Sequence, residues 1–307
     1  MSAELVSTRR SSDGTRKLLL ALEDGARVEC VLIPMTPMSE LAARHQVEGA
    51  ATRVTVCISS QVGCAMGCVF CASGQLGLER GLSADEIVGQ VEIAWRLLEP
   101  GEELRNLVFM GMGEPLHHYD ATALALRRLM DPKGPNIGPR RITLSTVGLV
   151  PGIQRLGRDF GGKIGLAVSL HAPSDAIRSR LLPMNRRYPL AELLGALRAY
   201  PLPRRRRIAI EYTLIEGVNA APEHALMLSE ILRDIPVKIN LIPMNPIAGS
   251  ALAAASPAAV LEFQRVLAER GYSCFLRARR GDALDAACGQ LARADRLARA
   301  PSSARVP

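Results

Sequence analysis

The sequence predicts an α/β fold in which strands alternate with helices, an open or closed α/β barrel. Three observations carry this. Short β-branched or aliphatic runs recur between longer amphipathic stretches six or so times, an alternation that builds parallel βαβ units with right-handed crossovers. The length of 307 residues permits two domains but equally suits one barrel, which can run past roughly 250 residues as a single unit. Apolar residues make up 48% and charged residues 22%, an ordinary globular balance that excludes a disordered or collagen-like chain. A chain of this size buries a sizeable core without disulfide staples.

The elements follow in order. Residues 1 to 27 are polar and basic and read as a short extension with a small element around Lys17–Leu22. Val28–Ile33 reads as an edge strand, and Pro34–Arg53 as a loop or short helix because no periodicity emerges there. Val54–Ile58 is β-branched and opens the barrel. Ser83–Leu98 is a helix with Ser83 as N-cap and Glu86 three residues on, a capping box. Strand Leu107–Met110 and helix Ala121–Met130 come next, then strand Arg141–Ser145 and a short helix near Pro151–Leu156. Strand Ile164–Leu170 leads to helices at Asp175–Leu181 and Leu190–Ala199. Strand Ile208–Ile215, helix Pro222–Asp234, strand Val237–Ile242 and a helix from Pro257 to Arg270 continue the rhythm. A last strand at Tyr272–Leu276 and a last helix at Ala283–Arg296 complete it, with a frayed tail from Ala300.

Charge and cysteine content narrow the function. Thirty-eight Lys+Arg against thirty Asp+Glu leave a net charge of +8, concentrated at Arg140-Arg141, Arg186-Arg187, Arg204–Arg207 and Arg277 with Arg279-Arg280. Arginine's planar fork suits phosphate, so these clusters read either as a nucleic-acid footprint or as solvated loops of an arginine-rich composition. Aromatics at 4% argue against a long stacking platform for single strands. The longest aliphatic run near the start, Leu18–Leu22, is far short of the roughly 18 residues of a membrane span. Neither that run nor the N-terminus resembles a signal peptide, and a cytoplasmic, non-membrane protein is expected.

The sharpest chemical signal is Cys64-Ala-Met-Gly-Cys68-Val-Phe-Cys71, on the loop after the first barrel strand. Three thiolates within eight residues converge on one object only if the backbone wraps around it, and Gly63 and Gly67 supply the conformations for wrapping. Iron–sulfur clusters are usually held by four cysteine thiolates, so three leave one iron open to a small molecule. Structural zinc prefers four closed ligands; no second Cys pair stands nearby, although His117 or His118 could supply a fourth donor. Gly111-Met-Gly113-Glu114-Pro115 follows a strand and lacks the third glycine of a dinucleotide fingerprint. It reads as a tight turn bringing backbone and a carboxylate close to a ligand. Ser145, Ser169-Leu170-His171 and Asn245 fall at or after the carboxyl ends of strands, where α/β barrels bind ligands. Cys57, Cys288, and Glu29 in its alternating strand have bland alternatives as buried thiols and a solvent-facing carboxylate.

Together these motifs resemble the RlmN/Cfr family of RNA adenosine methyltransferases within the radical S-adenosylmethionine (SAM) superfamily. The resemblance rests on the cysteine triplet, Cys57-Ile-Ser-Ser-Gln-Val-Gly-Cys64, Gly111–Pro115, Thr143-Leu-Ser-Thr146, Ser169-Leu-His171, Asn240–Pro246 and Gly281–Leu291, and it covers roughly residues 28 to 292. It implies a partial (β/α)6 barrel holding a [4Fe–4S] cluster on Cys64, Cys68 and Cys71. It also implies SAM contacts from Gly113, Glu114, Ser145, Ser169, Leu170, His171 and Asn245. The family's chemistry assigns Cys288 as the residue that is S-methylated, Cys57 as its disulfide partner and Glu29 as a proton acceptor near the adenine. In that scheme a second SAM is cleaved to a radical that takes hydrogen from the methyl on Cys288, and the carbon is added to C2 or C8 of adenosine. The base leaves its stack to reach the pocket, with the arginine clusters on the phosphates.

The same resemblance divides the chain into an N-terminal extension with an edge strand (1–53), a core barrel with the catalytic-cysteine segment (54–292) and a basic tail (293–307). Family members carry a helical RNA-binding domain ahead of this region, whereas here 27 residues precede Val28. An RNA substrate, a one-electron donor such as flavodoxin or ferredoxin, and a monomeric state are expected. The alternatives are a radical SAM enzyme with another substrate and a non-catalytic, metal-stabilised RNA-binding protein.

Overall fold

The computed structural model describes residues 3–35, 51–245 and 250–277. Seven parallel strands form the barrel wall: β4 (Thr52–Cys57), β7 (Glu102–Phe109), β8 (Ile142–Thr146), β9 (Gly165–Ser169), β10 (Ile208–Leu214), β11 (Val237–Pro243) and β12 (Cys274–Leu276). They lie side by side in that order and, among the described residues, the sheet does not close on itself, so the barrel they form is partial. Strands covered on both faces lose the alternation of half-buried ones, and β10, with all seven residues buried, is the extreme case.

The helices between them form the outer layer. They are α2 (Ala84–Arg96), α3 (Tyr119–Met130), α4 (Val150–Phe160), α5 (Asp175–Leu181), α6 (Leu190–Arg198), α7 (Pro222–Ile231) and α8 (Pro257–Glu269), with the single turn α1 (Ala72–Gln75) earlier. The capping box at α2 forms as its sequence requires: Glu86 N donates to Ser83 Oγ at 3.1 Å and Ser83 N to Glu86 Oε2 at 2.8 Å. Ile87, Val91 and Ala94 then fall on one face and are fully buried.

The N-terminal region differs from expectation. Residues 3–34 form an antiparallel meander of β1 (Ala3–Arg10), β2 (Arg16–Leu22) and β3 (Arg27–Pro34) that extends the same sheet through β4. β3 is therefore an interior strand, and β1 is the edge. β1 escaped the sequence reading because seven of its eight residues are exposed, which leaves no burial periodicity. A hairpin of β5 (Gln61–Gly63) and β6 (Leu78–Gly81) was equally unforeseen. The expected helix 283–296, Cys288 and the tail lie outside the described residues.

Two buried ion pairs seat the meander. Arg16 on β2 reaches Glu102 at the start of β7 at 2.5 Å, and Lys17 reaches Glu29 on β3 at 2.9 Å, all four side chains being less than a tenth exposed. Arg16 also donates to Leu97 O beyond α2 at 2.8 Å. Removing one partner strands a buried charge. Arg16→Met is expected to lower unfolding free energy by about 3–5 kcal/mol in denaturant titration, with the double variant Arg16→Met/Glu102→Leu recovering most of the loss.

Candidate active site

A concave cavity opens at the carboxyl ends of β7 to β11, the rim where parallel α/β sheets bind ligands. Cys64, Cys68 and Cys71 line it together with Gly113, Glu114, Ser145, Ser169, His171 and Asn245. Residues from five separate stretches of sequence thus meet in one place. Leu170, the residue just after β9, does not line the cavity and is instead buried in the hydrophobic core, whereas its neighbours Ser169 and His171 face the cavity.

The cysteine loop is shaped by backbone rather than by side chains. Gly63 has φ +77°, and a Cβ there would meet the carbonyl oxygen of Gly77 at 2.0 Å. Cys64 N donates to that same oxygen at 2.9 Å, so the glycine permits the contact that closes the loop. Gly67 also has positive φ. Cys71 N then donates to Cys68 O at 3.1 Å, and α1 follows at once. Val69 N donates to Leu181 O at the end of α5, also at 3.1 Å, which ties the loop to the barrel's outer layer. Phe70 packs edge-on against His171 with ring centroids 4.7 Å apart.

The turn Gly111–Pro115 is sewn to the segment after β4. Ser60 N and Gln61 N both donate to Met112 O, Met112 N donates to Ser59 Oγ at 2.9 Å, and Glu114 N donates to Gln61 Oε1 at 2.8 Å. A Cβ on Gly113 (φ +99°) would stand 2.6 Å from Gln61 Cβ, so only glycine fits. Glu114 is buried, and burial pushes its carboxyl up to about 7 although Val147 N and Leu116 N both donate to it. A cationic ligand amine in the cavity is the partner that would return it to the ionised form.

His171 holds φ +57° without being glycine. Thr213 N donates to its Nδ1 at 2.9 Å, which fixes the proton on Nε2. Burial first, and the Arg178 guanidinium second, press its pKa down to about 3, so it presents a neutral N–H donor. Asn219, fully buried, donates to His171 O and to Thr213 O, both at 2.7 Å. Asn219, Ser59, Gln61 and Arg178 were missed by the sequence reading. Ser59 and Gln61 stood inside a quoted motif, whereas no periodicity or spacing marks Asn219 or Arg178.

Three thiols and no fourth stand in this loop, and they suit a cubane better than zinc. Burial raises the Cys64 thiol to about 12, with Cys71 and Glu114 adding repulsion, and it raises Cys68 further in the same direction. Thiols so placed ionise only against a strongly cationic centre, which a cluster supplies. Among the described residues no group of three or more His, Cys, Asp or Glu is arranged to hold a metal ion by itself. His117 pairs with Gln61 Nε2 at 3.1 Å, and neither it nor His118 lines the cavity, so the fourth donor considered for zinc is not at hand.

Two further sequence candidates sit apart from the lining. Cys57 ends β4, buried, between Val31 and Val108 on the flanking strands. Glu29 is engaged by Lys17, and its carbonyl accepts from Ser59 Oγ at 2.7 Å. The arginine clusters also separate. Arg140-Arg141 directly precede β8 and Arg204–Arg207 directly precede β10, so they lie at the amino ends of the strands, away from the cavity. Arg277 reaches the cavity, donating toward Glu211 Oε2 at 3.5 Å.

Comparison with known proteins agrees with this geometry. The model of the radical SAM superfamily matches residues 58–228. A crystal structure of a radical SAM methyltransferase from Sphaerobacter thermophilus superposes with a TM-score of 0.86 at 44% identity, covering 95% of this chain and 81% of that one. Streptococcus suis SuiB, at 11% identity and TM-score 0.53, shares the fold alone over 78% of this chain and 52% of its own. The dual-specificity RNA methyltransferase RlmN of Sorangium cellulosum is 58% identical over 301 residues, 92% of this chain and 77% of that protein. Its namesake in Marinobacter nauticus is 45% identical over 94% of this chain and 75% of its own. The chain therefore belongs to the radical SAM superfamily and, within it, to the RlmN family. Its cofactors are a [4Fe–4S] cluster and SAM.

The buried carboxyl at Glu114 makes stability depend on pH in a defined direction. Below its ordinary value of 4.5 it is protonated folded or unfolded, and above about 7 it is ionised in both, with the native state bearing the cost. Stability of the SAM-free protein should fall by about 3 kcal/mol as pH rises through that window. Chemical denaturation of Glu114→Gln across the same range should show that slope flattened.

Proposed function

We propose that this chain is a SAM-dependent RNA methyltransferase that places a methyl group on C2 or C8 of an adenosine by way of Cys288. The observation that carries the reading is the convergence of the three-cysteine loop, the Gly111–Pro115 turn and the ends of β8, β9 and β11 on one cavity, in a member of this family. When bound, the cluster supplies the electron that cleaves SAM reductively.

Around that chemistry the residues have separable tasks. Cys64, Cys68 and Cys71 ligate, and the glycine-wrapped loop holds them in place. Gly113, packed close against Gln61, sets the turn at the cavity wall, and Glu114 receives the charge of a ligand amino group. Ser145, Ser169 and the Nε2–H of His171 offer neutral hydrogen bonds to ligand oxygens, while Leu170 contributes through its backbone and Asn245 closes the cavity from β11. The apolar share of the lining, from Phe70, Phe109, Met110 and Met244, keeps water from the reacting centre. In this scheme Cys288 carries the methyl group, Cys57 at the end of β4 attacks the Cys288 sulfur so that the methylated base is released and a Cys57–Cys288 disulfide remains, and Glu29, paired with Lys17, takes the proton. With the division at residues 53 and 292, every residue lining the cavity belongs to the core unit. Among the described residues no helix is long and apolar enough to cross a membrane. The reading calls for a cytoplasmic monomer fed by a one-electron donor of the flavodoxin or ferredoxin kind.

Nucleoside mass spectrometry of RNA from cells with and without the gene should reveal one methyladenosine species lost on deletion. Complementation with Cys288→Ala should restore none of it, while the purified variant keeps the brown colour and iron content of the wild type. Methylation by Cys288→Ala would overturn the route through that thiol.

A further inference from the structure

Arg178 is among the largest fully buried side chains in the protein, 1% exposed. It projects from α5 and donates four hydrogen bonds: to Val147 O at 2.5 Å, Leu170 O at 3.1 Å, Ser169 O at 3.3 Å and Asn185 Oδ1 at 2.8 Å. Three of these acceptors are backbone carbonyls at the ends of β8 and β9, the stretch from which Ser145, Ser169 and His171 enter the cavity. Val147 closes a further link, since its N–H donates to Glu114 Oε2 at 2.8 Å. The other end of α5 touches the cysteine loop through Leu181 O and Val69 N. One guanidinium thus fastens two strand ends beside a helix that is itself anchored between Cys68 and Cys71.

Its charge needs explaining as well. All four acceptors are neutral, and the nearest carboxylate acting on it, Asp175, is bound to the far side of Asn185, whose Nδ2 donates to Asp175 Oδ1 at 2.8 Å. A buried cation without a directly paired anion is costly, and burial draws the guanidinium down to about 10, still charged at neutral pH. The guanidinium stands one hydrogen bond behind Ser169, which lines the cavity together with Cys64, Cys68 and Cys71. A doubly positive cubane on three thiolates is a net anion, and reduction makes it more so.

We propose that Arg178 is a positioning residue and buried counter-cation, fastening the SAM-binding strand ends to the cysteine loop and favouring the reduced, more negative cluster. The proposal rests on the cluster and SAM belonging to this chain and is independent of which RNA is methylated. After anaerobic reconstitution, Arg178→Gln should bind iron and sulfide as the wild type does. It should take SAM about 10–100-fold more weakly, and its midpoint potential in an EPR-monitored redox titration should move to more negative values. Arg178→Lys keeps the charge and loses the fork, so its potential should stay at the wild-type value while SAM binding stays weakened. A loaded Arg178→Gln with wild-type potential and SAM affinity would sink the proposal. If circular dichroism shows that Arg178→Gln does not fold, Arg178→Lys decides alone: a displaced potential or unaltered SAM affinity overturns it. A wild-type protein that takes up no iron would bring down the underlying reading as well, an outcome distinct from failure confined to the variants.

Discussion

Everything at the cavity depends on holding three thiols together without a fourth at the end of a parallel sheet. The thiolates repel one another and resist burial, so the loop cannot be held by attraction among its own side chains. Backbone closes it instead: the Gly77 carbonyl received by Cys64 N, the Cys68 carbonyl received by Cys71 N, and the bond from Val69 to α5. Glycine at 63 makes the first of these geometrically possible. The loop is in effect a bracket formed by the main chain, whose sulfurs are left to the ligand.

The barrel supplies the complementary half. In parallel strands all carboxyl ends point the same way, so residues far apart in sequence arrive at one rim. The segment after β4 and the turn Gly111–Pro115 are laced by Ser59, Ser60 and Gln61, so the cysteine loop and the Glu114 turn are positioned by one shared set of hydrogen bonds. Asn219 does the same where β9 and β10 end, and Arg178 where β8 and β9 end. The cavity's polar lining is therefore backed by buried polar side chains with satisfied partners, an arrangement in which a misplaced support is felt at the centre.

Much of this was legible in the amino-acid sequence. The barrel strands and helices followed from alternating apolar runs, the start of α2 from Ser83 and Glu86, and the metal-binding loop from three cysteines among glycines. What escaped did so for physical reasons. β1 has no buried face to print a period, and the β5–β6 hairpin is too short to show one. Arg178 and Asn219 act through backbone carbonyls brought near only by folding, so nothing local distinguishes them from an ordinary helical arginine or loop asparagine. Leu170 was grouped with its neighbours by motif, whereas its apolar side chain is buried in the core rather than facing the cavity. The arginine clusters were legible as charge but not as location, because a cluster before a strand and one after it look alike until the direction of the sheet is known.

That last point bears on how a polyanion would meet this molecule. Arg204–Arg207 and Arg140-Arg141 are separated from the rim by the length of the strands, about 17–23 Å for five to seven residues, while Arg277 at the rim is paired with Glu211. Positive charge set this far from the mouth accelerates encounter without aiming it at the cavity. Long-range attraction can therefore gather nucleic acid to the surface from any side, and the choice of a productive approach falls to short-range shape and hydrogen bonding around the mouth.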